Sequence, residues 1–273
     1  MTKILTIQDI SCVGQCSLTV ALPIISAYGV ETCILPSAVL STHTGGFTDF
    51  TFRDLTEDFP RVIRHWEKEN IRFDGLYTGY IGNPKQMEYI LEIKEKLLRN
   101  DSPFIVDPAM ADFGKLYKGF DLGFVEEMKR PVKEADYILP NITEAEFLIH
   151  GEYREEEHTE KYIEHTVKEL KKLGAKNVVL KGVQRDGKIG VVTYDGKEIK
   201  YFLHEKIDRN LHGTGDVYAS CFVGELMRGK RVEEAARNAA ELTLAAIKAT
   251  IDDQTHWYGV KFEQIIPMIA GNV

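Results

Sequence analysis

At 273 residues, with 44% hydrophobic and 28% charged side chains, the chain has the balance of a globular protein with a sizeable core, read as one domain over residues 1–273. A net charge of −8 excludes the clustered Lys and Arg that nucleic acid or an anionic membrane surface requires, so any phosphate site has to be local. No run approaches the roughly 18 apolar residues of a membrane span, and the apolar start at Ile4 is broken by Gln8 and Asp9, unlike a signal peptide, which points to the cytoplasm.

In chain order, Lys3–Ile7 predicts a strand and Gln15–Tyr28 a helix stopped by Gly29. Glu31–Leu40 predicts the next strand, ending in the polar loop Ser41-Thr42-His43-Thr44-Gly45-Gly46-Phe47. Asp58–Glu69 is amphipathic, Gly75–Thr78 reads as a strand, and Pro84–Leu98 as a helix with Pro in its first turn. Phe104–Val106 is a buried-type strand stopping at Asp107, followed by a helix over Gly123–Ala135, a strand over Tyr137–Leu139 and a helix over Thr143–His150 capped by Thr143. A helix over Thr159–Leu173 leads to a strand over Asn177–Leu180; Lys188–Tyr194 and Lys197–Phe202 then flank Asp195-Gly196, a hairpin signal. Three helices close the chain: one opened by Asp216 and running to Arg228, Val232–Thr250, and Phe262–Ala270. The alternation of strands and helices implies an α/β fold: a mostly parallel central sheet, helices on both faces and antiparallel edge strands.

The four cysteines, Cys12, Cys16, Cys33 and Cys221, are expected as reduced thiols lining a core or pocket, because no Cys or His pair completes a zinc set. His158 and His165 lie in or beside a highly charged stretch and read as part of a solvated helix entrance.

The chain is organised around Asn210-Leu211-His212-Gly213-Thr214-Gly215-Asp216. A Gly-rich turn here opens a helix, whose free first-turn N–H groups and partial positive charge suit a phosphoryl group at Gly213, Thr214 and Gly215, with Asp216 beside it. A connecting loop with an acidic helix start is the plainer alternative for these residues alone.

Polar groups recur at the predicted strand ends. These are Asp9 and Ser11, Thr44 with Gly45 and Gly46, Tyr80, Asp107 and Asp112, Asn141 with Glu144, and Lys181 with Gly182. In a parallel sheet they emerge at one edge, where ligands of open α/β sheets bind. Carboxylates near a phosphate serve through a divalent cation, since bare Asp and ATP repel each other. The chain lacks Gly-x-x-x-x-Gly-Lys-Ser/Thr, the protein-kinase motifs and an early Gly-x-Gly-x-x-Gly, which weighs against P-loop enzymes, protein kinases and dinucleotide dehydrogenases.

Gly213-Thr214-Gly215-Asp216, Ser41–Gly45, Thr78-Gly79-Tyr80, Asp107–Asp112 and Pro140–Glu146 together resemble the pyridoxal kinase branch of the ribokinase-like superfamily, over Ile4 to about Thr250. The resemblance implies a three-layer ribokinase-like sandwich and an ATP-dependent kinase of the hydroxymethyl group of a B6 vitamer, using Mg²⁺ and often K⁺, in a homodimer. It implies Asp216 as catalytic base and Gly213, Thr214 and Gly215 as anion hole. Asp107, Asp112, Asn141, Glu144 and Lys181 fall around ATP, with Glu144 and Asp107 toward magnesium; Asp9, Ser11, His43, Thr44 and Tyr80 fall around the vitamer. Two departures stand out. Asp9-Ile10-Ser11 replaces an early Ser-His, and Asn210-Leu211-His212 resembles hydroxymethylpyrimidine kinases, leaving that substrate as the alternative. A non-catalytic nucleotide- or vitamin-binding module with this fold is the second alternative.

Overall fold

The computed structural model describes residues 1–207 and 211–271. Two compact units are present, Met1–Ser102 with Arg209–Val273, and Pro103–Asp208.

The first unit begins with β1 (Lys3–Ser11), α1 (Leu18–Ala27), β2 (Glu31–Leu40), β3 (Phe52–Asp54), α2 (Phe59–Lys68), β4 (Gly75–Thr78) and α3 (Pro84–Leu97). β1 is flanked by parallel partners, with Ile4 opposite Thr32 of β2 and Gly75 of β4, while β3 pairs antiparallel with β2. Ile4 through Asp9 of β1 are all buried, as expected of a strand covered on both faces. Because β1, β2 and β4 are parallel, their carboxyl ends share one edge of the unit's sheet. α3 follows Asn83, whose side chain accepts a hydrogen bond from the Lys85 N–H, and starts on Pro84, which has no N–H to satisfy.

The second unit holds β5 (Phe104–Val106), β6 (Ala111–Asp112), β7 (Lys115–Leu116), α4 (Leu122–Glu134), β8 (Tyr137–Ile138), α5 (Ile142–Ile149), α6 (Glu160–Lys172), β9 (Asn177–Arg185), β10 (Lys188–Tyr194) and β11 (Ile199–Glu205). β5, β8 and β9 are parallel, β10 and β11 extend the sheet antiparallel, and β6 and β7 form a separate small hairpin. The chain then returns to the first unit as α7 (Thr214–Met227), α8 (Val232–Thr250) and α9 (Ile266–Ala270). α7 is buried without a break from Val217 to Glu225, and α8 buries Ala235, Ala236, Ala239 and Ala246, small residues that allow close helix packing.

The α/β class, the mostly parallel sheet and the antiparallel edge strands match the expectation from sequence. Several local expectations need correction. The strand expected to stop at Leu180 runs on to Arg185, so Lys181 lies inside β9, where β10 provides its partner. The strand expected over Lys3–Ile7 likewise runs on to Ser11, so Asp9 and Ser11 belong to β1 rather than to the loop after it. The last helix is a 3-10 turn, Phe262–Gln264, followed by the short α9. Among the described residues, no helix is long and apolar enough to cross a membrane.

Candidate active site

In the first unit, the turn into α7 is set by Gly213, which takes a left-handed conformation at φ 78°. A β-carbon there would fall 2.0 Å from the backbone oxygen of Gln15, so glycine is required both by the backbone angle and by this close approach. Among the described residues no side chain caps α7, and its first turn carries Asp216. That end of the helix therefore presents backbone N–H groups of the kind that hold an anion. Asn210 lies outside the described residues.

Around this turn lie groups from the carboxyl end of β1. Asp9 is only 4% exposed; Ser11 Oγ donates to its Oδ2 at 2.8 Å, and Ser17 donates as well. Burial raises the Asp9 carboxyl above its ordinary value, with the two serine hydrogen bonds opposing the rise. Tyr80, whose carbonyl accepts a hydrogen bond from Ser37 Oγ, has its hydroxyl pushed up to about 12 by burial and then by the charges of Asp9 and Asp54. The Cys16 thiol sits against both Asp216 and Asp9. Burial, then Asp216, then Asp9 hold it well above the ordinary thiol range. Asp9, Ser11, Tyr80 and Asp216 thus occupy one neighbourhood, completed by Cys16 and Ser17.

The loop after β2 is organised by His43. Its Nδ1 accepts the Gly45 N–H at 3.1 Å, so its Nε2 carries the proton and donates to the Tyr258 carbonyl at 2.7 Å. Burial lowers its pKa and favours this neutral form. The rings of Phe47 and His212 lie 5.0 and 5.2 Å from His43, and Trp257 lies 4.7 Å from Phe47. Thr44, between these rings in sequence, is exposed.

The second unit gathers the remaining residues expected from sequence. Lys181 Nζ donates to Asp107 Oδ2 at 2.5 Å, with the two side chains only 12% and 4% exposed. Asp107 Oδ1 is buried without a hydrogen-bond partner among the described residues. Burial raises the Asp107 carboxyl and Lys181 opposes it. Glu144 Oε2 accepts the Asn141 N–H at 2.8 Å while Asn141 Oδ1 accepts the Glu144 N–H at 2.8 Å, a reciprocal capping box that starts α5. Glu144 Oε1 also accepts the Met110 N–H at 3.3 Å, and Asn141 Nδ2 donates to the Ala111 carbonyl. Burial and then the Asp107 charge push Glu144 well up, Lys181 opposing, with Asp112 a smaller contribution in the same direction as Asp107. Asp112 is exposed and accepts the Phe113 N–H. Thr143, expected to cap α5, instead accepts the Gly114 N–H at 3.0 Å; Asn141 wins the cap because a glutamate stands three residues after it.

Two further readings are corrected. His158 is buried at 1% exposure, its Nδ1 accepting the Gln184 N–H and its Nε2 donating to the Arg154 carbonyl, so it is a structural histidine rather than a solvated one. Cys12 is exposed rather than lining a core. Cys16, expected only as a thiol lining a core or pocket, and Ser17 join the site because the loop that carries them packs against Gly213, which a thiol and a hydroxyl in a Gly-bearing loop do not signal by themselves.

The family model described as phosphomethylpyrimidine kinase matches residues 22–260. The thiamine biosynthetic bifunctional enzyme TH1 of Arabidopsis thaliana is 30% identical over 250 residues, which cover 87% of this chain but 45% of that enzyme, so the chain spans less than half of that relative. A crystal structure of a Bacteroides thetaiotaomicron protein described as a putative phosphomethylpyrimidine kinase superposes with a TM-score of 0.93 at 33% identity, covering 98% of this chain and 93% of that one. The same Bacteroides protein has an orthorhombic form with pyridoxal, matching at TM-score 0.91. Pyridoxal kinase from Lactobacillus plantarum superposes with a TM-score of 0.91 at 30% identity, covering 100% of this chain and 98% of that one. The chain accordingly belongs to the phosphomethylpyrimidine kinase family, and is a kinase of the group that holds both the hydroxymethylpyrimidine and the pyridoxal enzymes.

Proposed function

We propose that this kinase transfers the γ-phosphoryl group of ATP to the hydroxymethyl group of pyridoxal or pyridoxamine, acting as one kinase domain over residues 1–273 and as a homodimer. The observation that carries the transfer is the start of α7, where Asp216 stands in the first turn beside the uncapped Gly213-Thr214-Gly215 backbone. In this reading Asp216 accepts the proton of the substrate alcohol as the oxygen attacks phosphorus in line, and the N–H groups of the turn stabilise the charge on the transferring phosphoryl. An aspartate is a weak base for an alcohol, so positioning contributes more than basicity.

Asp107, Asp112, Asn141, Glu144 and Lys181 are assigned to ATP. Mg²⁺ takes one or two carboxylates plus phosphate oxygens and keeps several waters, so the unpartnered Asp107 Oδ1 beside Glu144 fits it as an acceptor for the ion or its water shell. When bound there it neutralises phosphate charge; Lys181 holds Asp107 in place, and the capping box holds Glu144. Among the described residues no group of three or more His, Cys, Asp or Glu could hold a metal ion, so any cation here depends on phosphate and water for most of its ligands.

For the substrate, the buried Asp9 and Ser11 and the half-buried Tyr80 supply polar groups able to read the phenolic hydroxyl and the aldehyde or amine of a vitamer, while His43 and Thr44 belong to the adjoining loop. His43, with both ring nitrogens engaged, orders that loop and offers its ring. A site built to hydrogen-bond a substituent rejects analogues lacking it strongly. The likeness to the Lactobacillus enzyme over the whole chain, and the pyridoxal form of the Bacteroides protein, support this choice. The second reading, hydroxymethylpyrimidine kinase, is favoured by the family match and by the Arabidopsis relative. The test is kcat/KM for ATP-dependent phosphorylation of pyridoxal, pyridoxamine and hydroxymethylpyrimidine. A pyrimidine value tenfold above both vitamers overturns the substrate assignment, and absence of ATP consumption with every alcohol leaves the non-catalytic module.

A further inference from the structure

The segment that follows α8 is tied into a closed loop. The Lys261 N–H donates to Thr250 Oγ1 at 2.8 Å, and Lys261 Nζ pairs with Asp253 Oδ2 at 2.7 Å, which joins the end of α8 to the far side of the loop. From that base the loop reaches two others. The Tyr258 carbonyl accepts from His43 Nε2 in the loop after β2, and His256 Nε2 meets Gln15 Oε1 at 2.6 Å in the loop between β1 and α1. The polarity of the second bond is fixed. Gln15 Nε2 donates to Glu263 Oε1 at 2.6 Å, because an ionised carboxylate only accepts, so Gln15 Oε1 is left as acceptor and His256 Nε2 as donor. Glycines make room on two sides of Gln15: a β-carbon at Gly259 would fall 2.6 Å from the Gln15 Cβ, and one at Gly213 would fall 2.0 Å from its carbonyl oxygen.

We propose that Gln15 is a positioning residue for the phosphoryl transfer: clamped at its side chain between His256 and Glu263, it holds its carbonyl against Gly213 and so fixes the turn that opens α7. The inference rests on the reading of that turn as the phosphoryl-binding site. Gln15 itself touches no reacting atom. A half-buried glutamine on a loop has several rotamers open to it, and two hydrogen bonds at opposite ends of its amide select one. With that rotamer held, the main chain of residue 15 stays seated on Gly213, whose left-handed backbone sets the direction of the first N–H groups of α7. Preorganised N–H groups stabilise developing charge without having to move, and displacing them slows the chemical step. The neighbouring Gly14 lies so close to the His43 ring that a β-carbon there would fall 2.0 Å from Cδ2, so the loop carrying His256 and Tyr258 braces this stretch twice.

Two measurements test this. In steady-state kinetics Gln15→Leu and His256→Phe should each lower kcat about fivefold, the effect of losing one ordinary hydrogen bond, with KM for ATP unchanged. His256→Gln keeps an N–H donor and should recover most of the loss. Wild-type kcat in either of the first two variants, or a glutamine at 256 no better than phenylalanine, overturns the proposal. So does a fall in kcat that simply follows the melting temperature from variant to variant. The second measurement needs no turnover: amide hydrogen exchange, read by mass spectrometry on the peptide spanning residues 211–217. Gln15→Leu and His256→Phe should speed exchange in that peptide about fivefold, while the peptide covering β9 in the other unit exchanges as in wild type. Unchanged exchange at 211–217 overturns the clamp. If the wild-type protein phosphorylates no alcohol in the substrate panel, the phosphoryl reading of the turn fails, while the exchange rates still decide whether Gln15 fixes it.

Discussion

Two helix starts in this protein are built on opposite principles. α5 opens with a closed arrangement: Asn141 and Glu144 satisfy each other's N–H groups, and the second Glu144 oxygen takes the Met110 N–H. α7 opens on a left-handed glycine with no side-chain cap among the described residues and an aspartate in its first turn. A capped helix start gains about 0.5–2 kcal/mol of stability and keeps little donor capacity for a ligand, whereas an uncapped one forgoes that stability and keeps it. The contrast separates a helix start that keeps backbone N–H groups open, as the proposed anion role of α7 requires, from the α5 start, which holds a carboxylate rigidly beside the buried Asp107–Lys181 pair.

The comparison breaks most visibly at Asp216. Asp216→Asn is expected to lower kcat by roughly 10²–10⁴, the range for a lost general base, while KM for ATP and the melting temperature stay near wild type. Wild-type turnover in that variant would reduce the residue to a helix-start acid and remove the distinction drawn above.

On the α5 side the largest effect should fall on stability. Lys181→Met leaves a buried Asp107 without its partner and should cost roughly 3–5 kcal/mol near pH 7, read by denaturant unfolding. The sign with pH follows from Asp107, whose carboxyl is already raised by burial against the pull of Lys181. A carboxyl raised on folding stabilises the fold below its unfolded-state value, and that contribution is lost as the pH climbs through the folded value. Without Lys181 the rise is larger, so the deficit should shrink toward about pH 4 and grow toward pH 8. A deficit that instead grows on acidification contradicts the buried pair.

Gly213→Ala sharpens the other side. A side chain there meets both the left-handed backbone and the Gln15 carbonyl, so a loss of about 1–3 kcal/mol is expected together with a fall in kcat, because the turn proposed to bind the phosphoryl group must itself move. Stability lost with full turnover would separate the turn from the chemistry.

The smallest effects concern the capping box. Asn141→Ala should cost about 1 kcal/mol in unfolding experiments. Glu144→Ala should cost a similar amount and, in addition, raise the magnesium concentration for half-maximal rate, which a titration of activity against Mg²⁺ measures. Identical magnesium curves for wild type and Glu144→Ala would confine Glu144 to its helix, as would full activity in excess chelator.

Much of this was readable in the residues because it depends on local pattern. Apolar runs bounded by Gly, Pro and Asp placed most strands, period-3.6 spacing placed most helices, and the turn chemistry of Asp195-Gly196 placed the β10–β11 hairpin, whose tip is held by Asp195 Oδ1 accepting the Lys197 and Glu198 N–H groups. The Gly-Thr-Gly-Asp turn announced an uncapped helix start through glycine alone, and parallel strands sent the polar residues of each unit to a common edge. What the sequence could not determine were competitions between groups far apart in the chain. The Asn141–Glu144 capping box was present in the sequence, but that Thr143 Oγ1 accepts the Gly114 N–H instead of taking part in it is decided by a contact from outside α5. Whether His158 is solvated depends on the Gln184 N–H and Arg154 carbonyl that meet its ring. Lys181 lies within a strand where β10 pairs alongside, and its ion pair exists only because the fold places Asp107 against it. The β1–α1 loop against Gly213 is the extreme case, an approach of Gln15 and Cys16 to a turn about 200 residues later in the chain, which no local period encodes.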